Sequence, residues 1–228
     1  MSNNNNIKEN IDKIKERVNK KNPGIHTQIN IEAVTKTRTV EDIKNAINAG
    51  IKIISENRIQ EAENKLDVIK SNKHIKAHLI GHLQSNKIKK AIELFDTIES
   101  VDTKKKINKI NNESNKKGKT QEIYLQINIG NDSKKHGFNT QDAQRAVKTI
   151  QEYNNINLTG LMTILPFGIL EEETKGLYKN MKLFYDKMRE INPKITNLSM
   201  GMSNDYGMAV ECGASHIRIG TAIFGKKA

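Results

Sequence analysis

The chain has 228 residues, a formal net charge of +12, no tryptophan and one cysteine, Cys212, which excludes a disulfide framework and a thiolate zinc cluster. No apolar run approaches the roughly 18 residues of a membrane span, and the Asn-rich start Met1–Asn10 has no apolar core of a secretory signal, so the expected compartment is cytoplasmic. Only 6 of the 38 basic residues are Arg, and the 32 lysines are scattered among 32 Ile and 28 Asn, so the charge reads as A/T-rich codon drift, and no specific nucleic-acid partner is expected.

The first element, Ile7–Lys20, carries Ile7, Ile11, Ile14 and Val18 at helical spacing and stops before Asn22-Pro23-Gly24. Strand Ile29–Thr35 follows, then a helix capped by Thr39 that runs to Ala49 and is closed by Gly50. Strand Ile51–Ser55 precedes a helix Arg58–Ser71. Strand Ala77–Gly81 precedes a helix from Ser85 to Phe95. Strand Thr97–Val101 precedes a helix from Thr103 to Lys117, ended by Gly118. Strand Glu122–Ile129 leads through a loop to a helix Gln141–Tyr153. Strand Leu158–Thr163 leads through a longer loop to a helix Glu172–Ile191. Strand Asn197–Met200, a helix Asn204–Cys212, strand His216–Ile219 and Thr221–Gly225 complete the chain.

Eight strands, each followed by a helical segment, predict parallel βαβ units closing into an α/β (β/α)8 TIM barrel with an extra N-terminal helix. Pro23, Pro166 and Pro193 lie far apart and no linker divides the chain, so residues 1–228 read as one domain. A doubly wound sheet is the runner-up. It calls for a Gly-rich turn after the first strand, where this chain has Lys36-Thr37-Arg38.

Barrel chemistry concentrates at the C-terminal strand ends. Lys36 follows the first strand, so its amine is expected at the mouth, partly desolvated and lowered in pKa. A neutral amine can form a Schiff base with an aldehyde. Asn57 and Arg58 follow the second strand, and His82 and Gln84 the third. Lys134, Lys135 and His136 lie in the loop after the fifth, and Met162 and Thr163 end the sixth. Ser199-Met200-Gly201-Met202-Ser203 and Arg218-Ile219-Gly220-Thr221 end the last two strands. Their glycines let backbone N–H groups approach an anion and their hydroxyls add donors. A lysine across from an anion cradle points to a phosphorylated aldehyde. Pyridoxal 5′-phosphate (PLP) is the leading candidate and a sugar-phosphate aldolase the rival.

The blocks Ala33–Thr37, Glu56–Glu61, Ile80–Lys87, Gln126–Ile129, Gly160–Ile164, Leu198–Ser203 and Arg218–Gly225, in this order, resemble the YggS-like pyridoxal phosphate homeostasis proteins. The resemblance implies a PLP barrel of the alanine racemase type, fold type III, with Lys36 carrying the cofactor. It implies that Asn57 lies near the ring and that Met162 belongs to the cofactor site. It implies that Ser203, Gly220 and Thr221, with Ser199 and Gly201, cradle the phosphate. It implies that Arg218 meets the pyridine nitrogen. Guanidinium only donates, so that nitrogen must accept and stay unprotonated, which weakens the ring as an electron sink. Ser55 departs from the glycine usual in the family. Lys135 aligns with a family lysine, and His82 is expected to position backbone beside the cofactor.

Alanine racemases add a β domain and a second catalytic tyrosine, whereas this chain stops nine residues after Ile219. The expectation is a monomeric PLP homeostasis protein without robust catalysis and without a resident metal. PLP-dependent apoenzymes would be its partners. The alternative is a weak amino-acid racemase or a Schiff-base aldolase.

Overall fold

The β-branched runs form eight parallel strands that close into a barrel in strict chain order, in a computed structural model that describes residues 2–22, 28–65 and 71–226. The strands are β1 Asn30–Val34, β2 Ile53–Glu56, β3 Lys76–Leu79, β4 Thr97–Val101, β5 Gln121–Ile127, β6 Ile156–Thr163, β7 Asn197–Met202 and β8 His216–Ile219. Closure is made by β1 and β8, with Ile31 opposite Ile217 and Glu32 opposite Arg218.

The helices are α1 Ser2–Lys21, α2 Val40–Asn48, α3 Ile59–Glu63, α4 Ile88–Leu94, α5 Lys104–Lys116, α6 Thr140–Ile150, α7 Glu171–Ile191, α8 Tyr206–Glu211 and α9 Thr221–Phe224. A 3-10 turn, Ser85–Lys87, leads into α4. None of them is long and apolar enough to cross a membrane. Thr39 caps α2 with a capping box completed by Asp42, and Thr103 caps α5 through the Lys106 N–H. Gly50 and Gly118 stop the same two helices with φ of +92° and +60°. The expected stripe of α1 is real: Ile7, Ile11, Ile14 and Val18 are all buried. α1 packs on α2, α8 and α9, across the seam where β8 meets β1.

Most element ends shift by one to three residues from the sequence reading, and three of the differences have a clear physical cause. Strand β2 starts at Ile53, because the Ile51 N–H bonds to the Ala46 carbonyl and finishes the α2 turn. Strand β5 ends at Ile127, because the Asn128 side chain turns into the following loop and bonds to the backbone of Asp132. Of the helix expected over Arg58–Ser71, the described residues hold α3, with Arg58 as its N-cap; residues 66–70 of that reading lie outside the described residues.

The two faces of the barrel wall differ in character. One alternating set, including Ala33, Ile54, Leu79, Ile98, Ile123, Leu161, Leu198 and Ile217, joins the helices in one continuous apolar core. The other set faces the barrel axis and is strongly polar: Glu32, Ser55, His78, Glu99, Ser199, His216 and Arg218 are all buried.

Candidate functional site

Glu32 on β1 begins the polar interior. One carboxylate oxygen accepts from Ser55 Oγ at 2.7 Å, and the other lies 3.0 Å from His216 Nδ1. Glu99 on β4 lies 2.7 Å from His78 Nδ1 and accepts from Ser199 Oγ at 2.6 Å. Ser199 in turn accepts from Arg218 Nη1 at 2.6 Å, and Arg218 Nη2 donates to the Thr163 carbonyl at 2.7 Å. Hydrogen bonds between β4, β7 and β8 thus cross the barrel interior at the level of Arg218.

The two carboxyls are driven apart. Burial, reinforced by the charge of Glu99, pushes Glu32 up to about 8. Burial also raises Glu99, but the His78 hydrogen bond and the charges of His78, Arg218 and His216 outweigh it and hold Glu99 at about 2. Burial likewise lowers His216 below the ordinary imidazole range. The two carboxyls share one buried interior and are shifted in opposite directions, Glu32 toward its neutral form and Glu99 toward its charged form.

Above this interior lies the turn after β1. Lys36 is exposed there, which corrects the expectation of a partly desolvated amine. Strand position put it at the mouth, and among the described residues no side chain buries it. Thr37 beside it has φ +61°, a left-handed conformation costly for a β-branched residue, and its N–H is held by Glu61 Oε2 at 2.9 Å. Lys65 braces the turn from below. Its ammonium donates to the Thr35 carbonyl at 2.7 Å and to Glu56 Oε1 at 3.0 Å, while Thr35 Oγ1 donates to the same Glu56 oxygen at 2.6 Å.

The loops after β7 and β8 close beside that turn. A Cβ added at Gly220 would meet Val34 at 3.5 Å, so Gly220 lies directly against the end of β1. Ser203 Oγ accepts from the Ala222 N–H at 3.2 Å, joining the two loops, and the Arg38 guanidinium donates to the carbonyls of Phe224 and Gly225. Ser203 and Gly220 are half-buried and Thr221 is exposed.

Past the ends of β2 and β3, next to β1 in the barrel, Asn57, Gly81, His82, Gln84 and Lys87 line a cavity of about 700 Å³. A Cβ at residue 81 would sit 2.0 Å from the Asn57 carbonyl oxygen, so this approach requires glycine. The His82 ring stacks on His136 at 3.9 Å, with its Nδ1 3.6 Å from Asp102 Oδ2. Burial, with the charges of Lys106 and His136, lowers its pKa. Lys135 donates to the Leu165 carbonyl, tying the loop after β5 to the loop after β6.

The family profile described as "Alanine racemase, N-terminal domain" matches residues 2–228. A pyridoxal phosphate homeostasis protein of Synechocystis is 36% identical over 202 residues, covering 87% of this chain and 92% of the relative. One from Haemophilus influenzae is 31% identical over 229 residues, covering 97% and 96%. The chain belongs to the pyridoxal phosphate homeostasis protein family. The solved structure of PipY from Synechococcus elongatus, a family member, superposes with a TM-score of 0.88 at 31% identity without PLP and of 0.85 with PLP bound. Both cover 96% of this chain and 100% of PipY. Alanine racemase of Clostridium difficile shares the fold at 18% identity and a TM-score of 0.78.

Within this family frame the nine site residues expected from sequence divide into groups. Lys36, Gly220, Thr221 and Ser203 come together where β1, β7 and β8 end. Asn57 stands just past β2, the strand paired with β1, and lines the neighbouring cavity. Arg218 is 3% exposed and forms part of the floor. Met162 is fully buried, opposite Ser199 in the β6–β7 register. Ser199, expected with the phosphate loops, is fully buried, and its hydroxyl is hydrogen-bonded to Glu99 and Arg218. Gly201, at φ +91°, is buried, and a Cβ there would sit 2.5 Å from Ala209 Cβ, so its lack of a side chain serves the packing of β7 on α8. The residues sequence reasoning missed are Glu32, Lys65, His78 and Glu99; Glu56 was read at the end of the second strand. The only signal for Glu32, His78 and Glu99 was the period-two placement of polar residues within strands.

Proposed function

We propose that this protein binds PLP at the barrel mouth, with Lys36 as its covalent anchor, and holds the cofactor for intracellular PLP homeostasis rather than catalysing a reaction. The observation that carries this reading is the seam between the first and last strands. Arg218 pairs with Glu32 there, Gly220 touches Val34, and the Lys36 turn stands two residues beyond.

The donor set fits the group. A phosphate calls for hydroxyls and backbone N–H groups, as Ser203, Gly220 and Thr221 offer. A pyridine nitrogen calls for one donor, and Arg218 uses one N–H each to Ser199 and Thr163 out of its five, leaving three. Asn57, past the end of β2, and Met162, on β6, complete the enclosure. When bound, the cofactor supplies an aldehyde that condenses reversibly with an amine, with loss of water. The exposure of Lys36 keeps its amine open to free cofactor.

The same residues favour holding over catalysis. Arg218 only donates, so it keeps the ring nitrogen unprotonated and the ring a weak electron sink. Among the tyrosines, Tyr124 and Tyr178 are buried and their hydroxyls are raised far above the ordinary range by burial, so neither is fit to serve as a base. The names of the relatives agree with this reading. The test is to add PLP to the purified protein and record the visible spectrum. A protein-bound band that is lost in Lys36→Ala is expected. A band of equal intensity in that variant would refute the anchor.

A further inference from the structure

Arg218 is a cation 3% exposed in the barrel, and a buried guanidinium needs both a fixed orientation and a counter-charge. Both come through one hydroxyl. Ser199 has a single proton to give. It accepts from Arg218 at 2.6 Å, so its own proton goes to Glu99, also at 2.6 Å. The direction of the chain is therefore fixed: guanidinium to hydroxyl to carboxylate. His78, on the other Glu99 oxygen at 2.7 Å, holds that carboxylate in place from β3.

We propose that Glu99 is a positioning residue for Arg218, acting through the Ser199 hydroxyl, and that its carboxylate is the group against which Arg218 is held toward the cofactor ring. The proposal rests on the PLP reading of the mouth. It goes beyond that reading by reaching a carboxylate that faces Arg218 from across the barrel and does not itself line the mouth.

The groups facing Glu99 are His78 of β3, Glu32 of β1, Ser199 of β7, His216 and Arg218 of β8, and Tyr124 of β5. Glu32 is the one that competes for the same role. It pairs with Arg218 in the β1–β8 register, yet its carboxylate oxygens are bound to Ser55 and His216. Burial and the Glu99 charge favour its neutral form, so Glu32 carries the proton and Glu99 the charge. The two glutamates are therefore unequal, and their isosteric amides give opposite results.

The experiment uses the full chain loaded with PLP and compares Glu99→Gln, Glu99→Asp, Ser199→Ala and Glu32→Gln. It reads the rate of cofactor loss on dilution, the pH midpoint of the visible band and borohydride trapping at Lys36. Glu99→Gln is expected to speed cofactor loss about five- to tenfold. Its midpoint should fall, because removing a nearby negative charge disfavours the protonated chromophore. Ser199→Ala should speed loss to a similar degree. Glu99→Asp should restore the midpoint, and Glu32→Gln should match wild type at neutral pH in both readouts. Equal effects of Glu99→Gln and Glu32→Gln would overturn the proposal. So would a wild-type midpoint and retention in Glu99→Gln while Lys36 still traps the cofactor. Should Glu99→Gln fail to fold, Ser199→Ala with an intact melting transition and wild-type retention would overturn it alone. Failure of the wild-type protein to trap PLP at Lys36 is the separate result that removes the underlying PLP reading, and the proposal with it.

Discussion

Lys65 and Glu56 form a buried ion pair of 3.0 Å directly beneath the turn that presents Lys36. The lysine also ties down the Thr35 carbonyl, and Glu56 accepts from the Thr35 hydroxyl, so strand end and turn share one anchor. Burial raises the Glu56 carboxyl, and the Thr35 and Lys65 hydrogen bonds work against that rise. Removing one partner leaves the other buried and uncompensated. Lys65→Met should cost about 2–4 kcal/mol, lowering Tm by roughly 5–15 °C for a domain of this size. Adding Glu56→Gln to it should recover a large part of the loss. Thermal melting of the two single variants and the double variant measures the coupling, and strictly additive losses would contradict the pairing.

Gly81 predicts a second, purely steric effect. Its Cβ would stand 2.0 Å from the Asn57 carbonyl oxygen, backbone against backbone, so Gly81→Ala must push two loops apart. A cost of about 2–4 kcal/mol is expected. PLP retention should weaken in the same variant, because Asn57 moves with its loop. Melting and dilution experiments on Gly81→Ala check both. The exposed Gly176 on α7, where a Cβ would meet nothing within 4 Å and the backbone is helical, is the steric control.

The carboxylate pair makes stability depend on pH in a definite sense. Glu32 is raised to about 8, so the folded state keeps a proton that the unfolded chain has already lost above its ordinary carboxylate range. Its contribution is fully present below the unfolded value and is lost as pH rises through about 8. Glu99, held at about 2, works oppositely: its contribution is present above the unfolded value and is lost as pH falls toward 2. Glu32→Gln removes only the first effect. Between pH 5 and pH 8 the variant should therefore lose less stability than wild type, by on the order of 1–2 kcal/mol. Urea unfolding at several pH values tests this, and parallel curves for the two proteins would contradict it.

The barrel was largely legible in the sequence, because β-branched runs and helical stripes alternate eight times. Thr97–Val101 and His216–Ile219 match their strands residue for residue. The polar interior was not legible. In Ile31-Glu32-Ala33-Val34, Glu32 looks like the solvent side of an alternating strand. In a closed barrel wrapped by helices the non-helix face is the axis, so Glu32, His78 and Glu99 are buried together instead. Which polar side chains meet there depends on strand stagger, and local pattern does not encode stagger. Ser199 was read within the seventh strand and lies inside β7, but that its hydroxyl reaches across to Glu99 was not legible, for the same reason. The exposure of Lys36 depends on what covers the mouth, which strand position alone does not decide.

The central claim, that Lys36 is the covalent anchor for PLP, is tested most directly by borohydride reduction of the PLP-loaded protein followed by peptide mass mapping. The account predicts one reduced phosphopyridoxyl adduct, on the peptide containing Lys36, and its loss in Lys36→Ala with the melting transition intact. Reduction at full yield on another of the 32 lysines, with Lys36 unmodified, would contradict it.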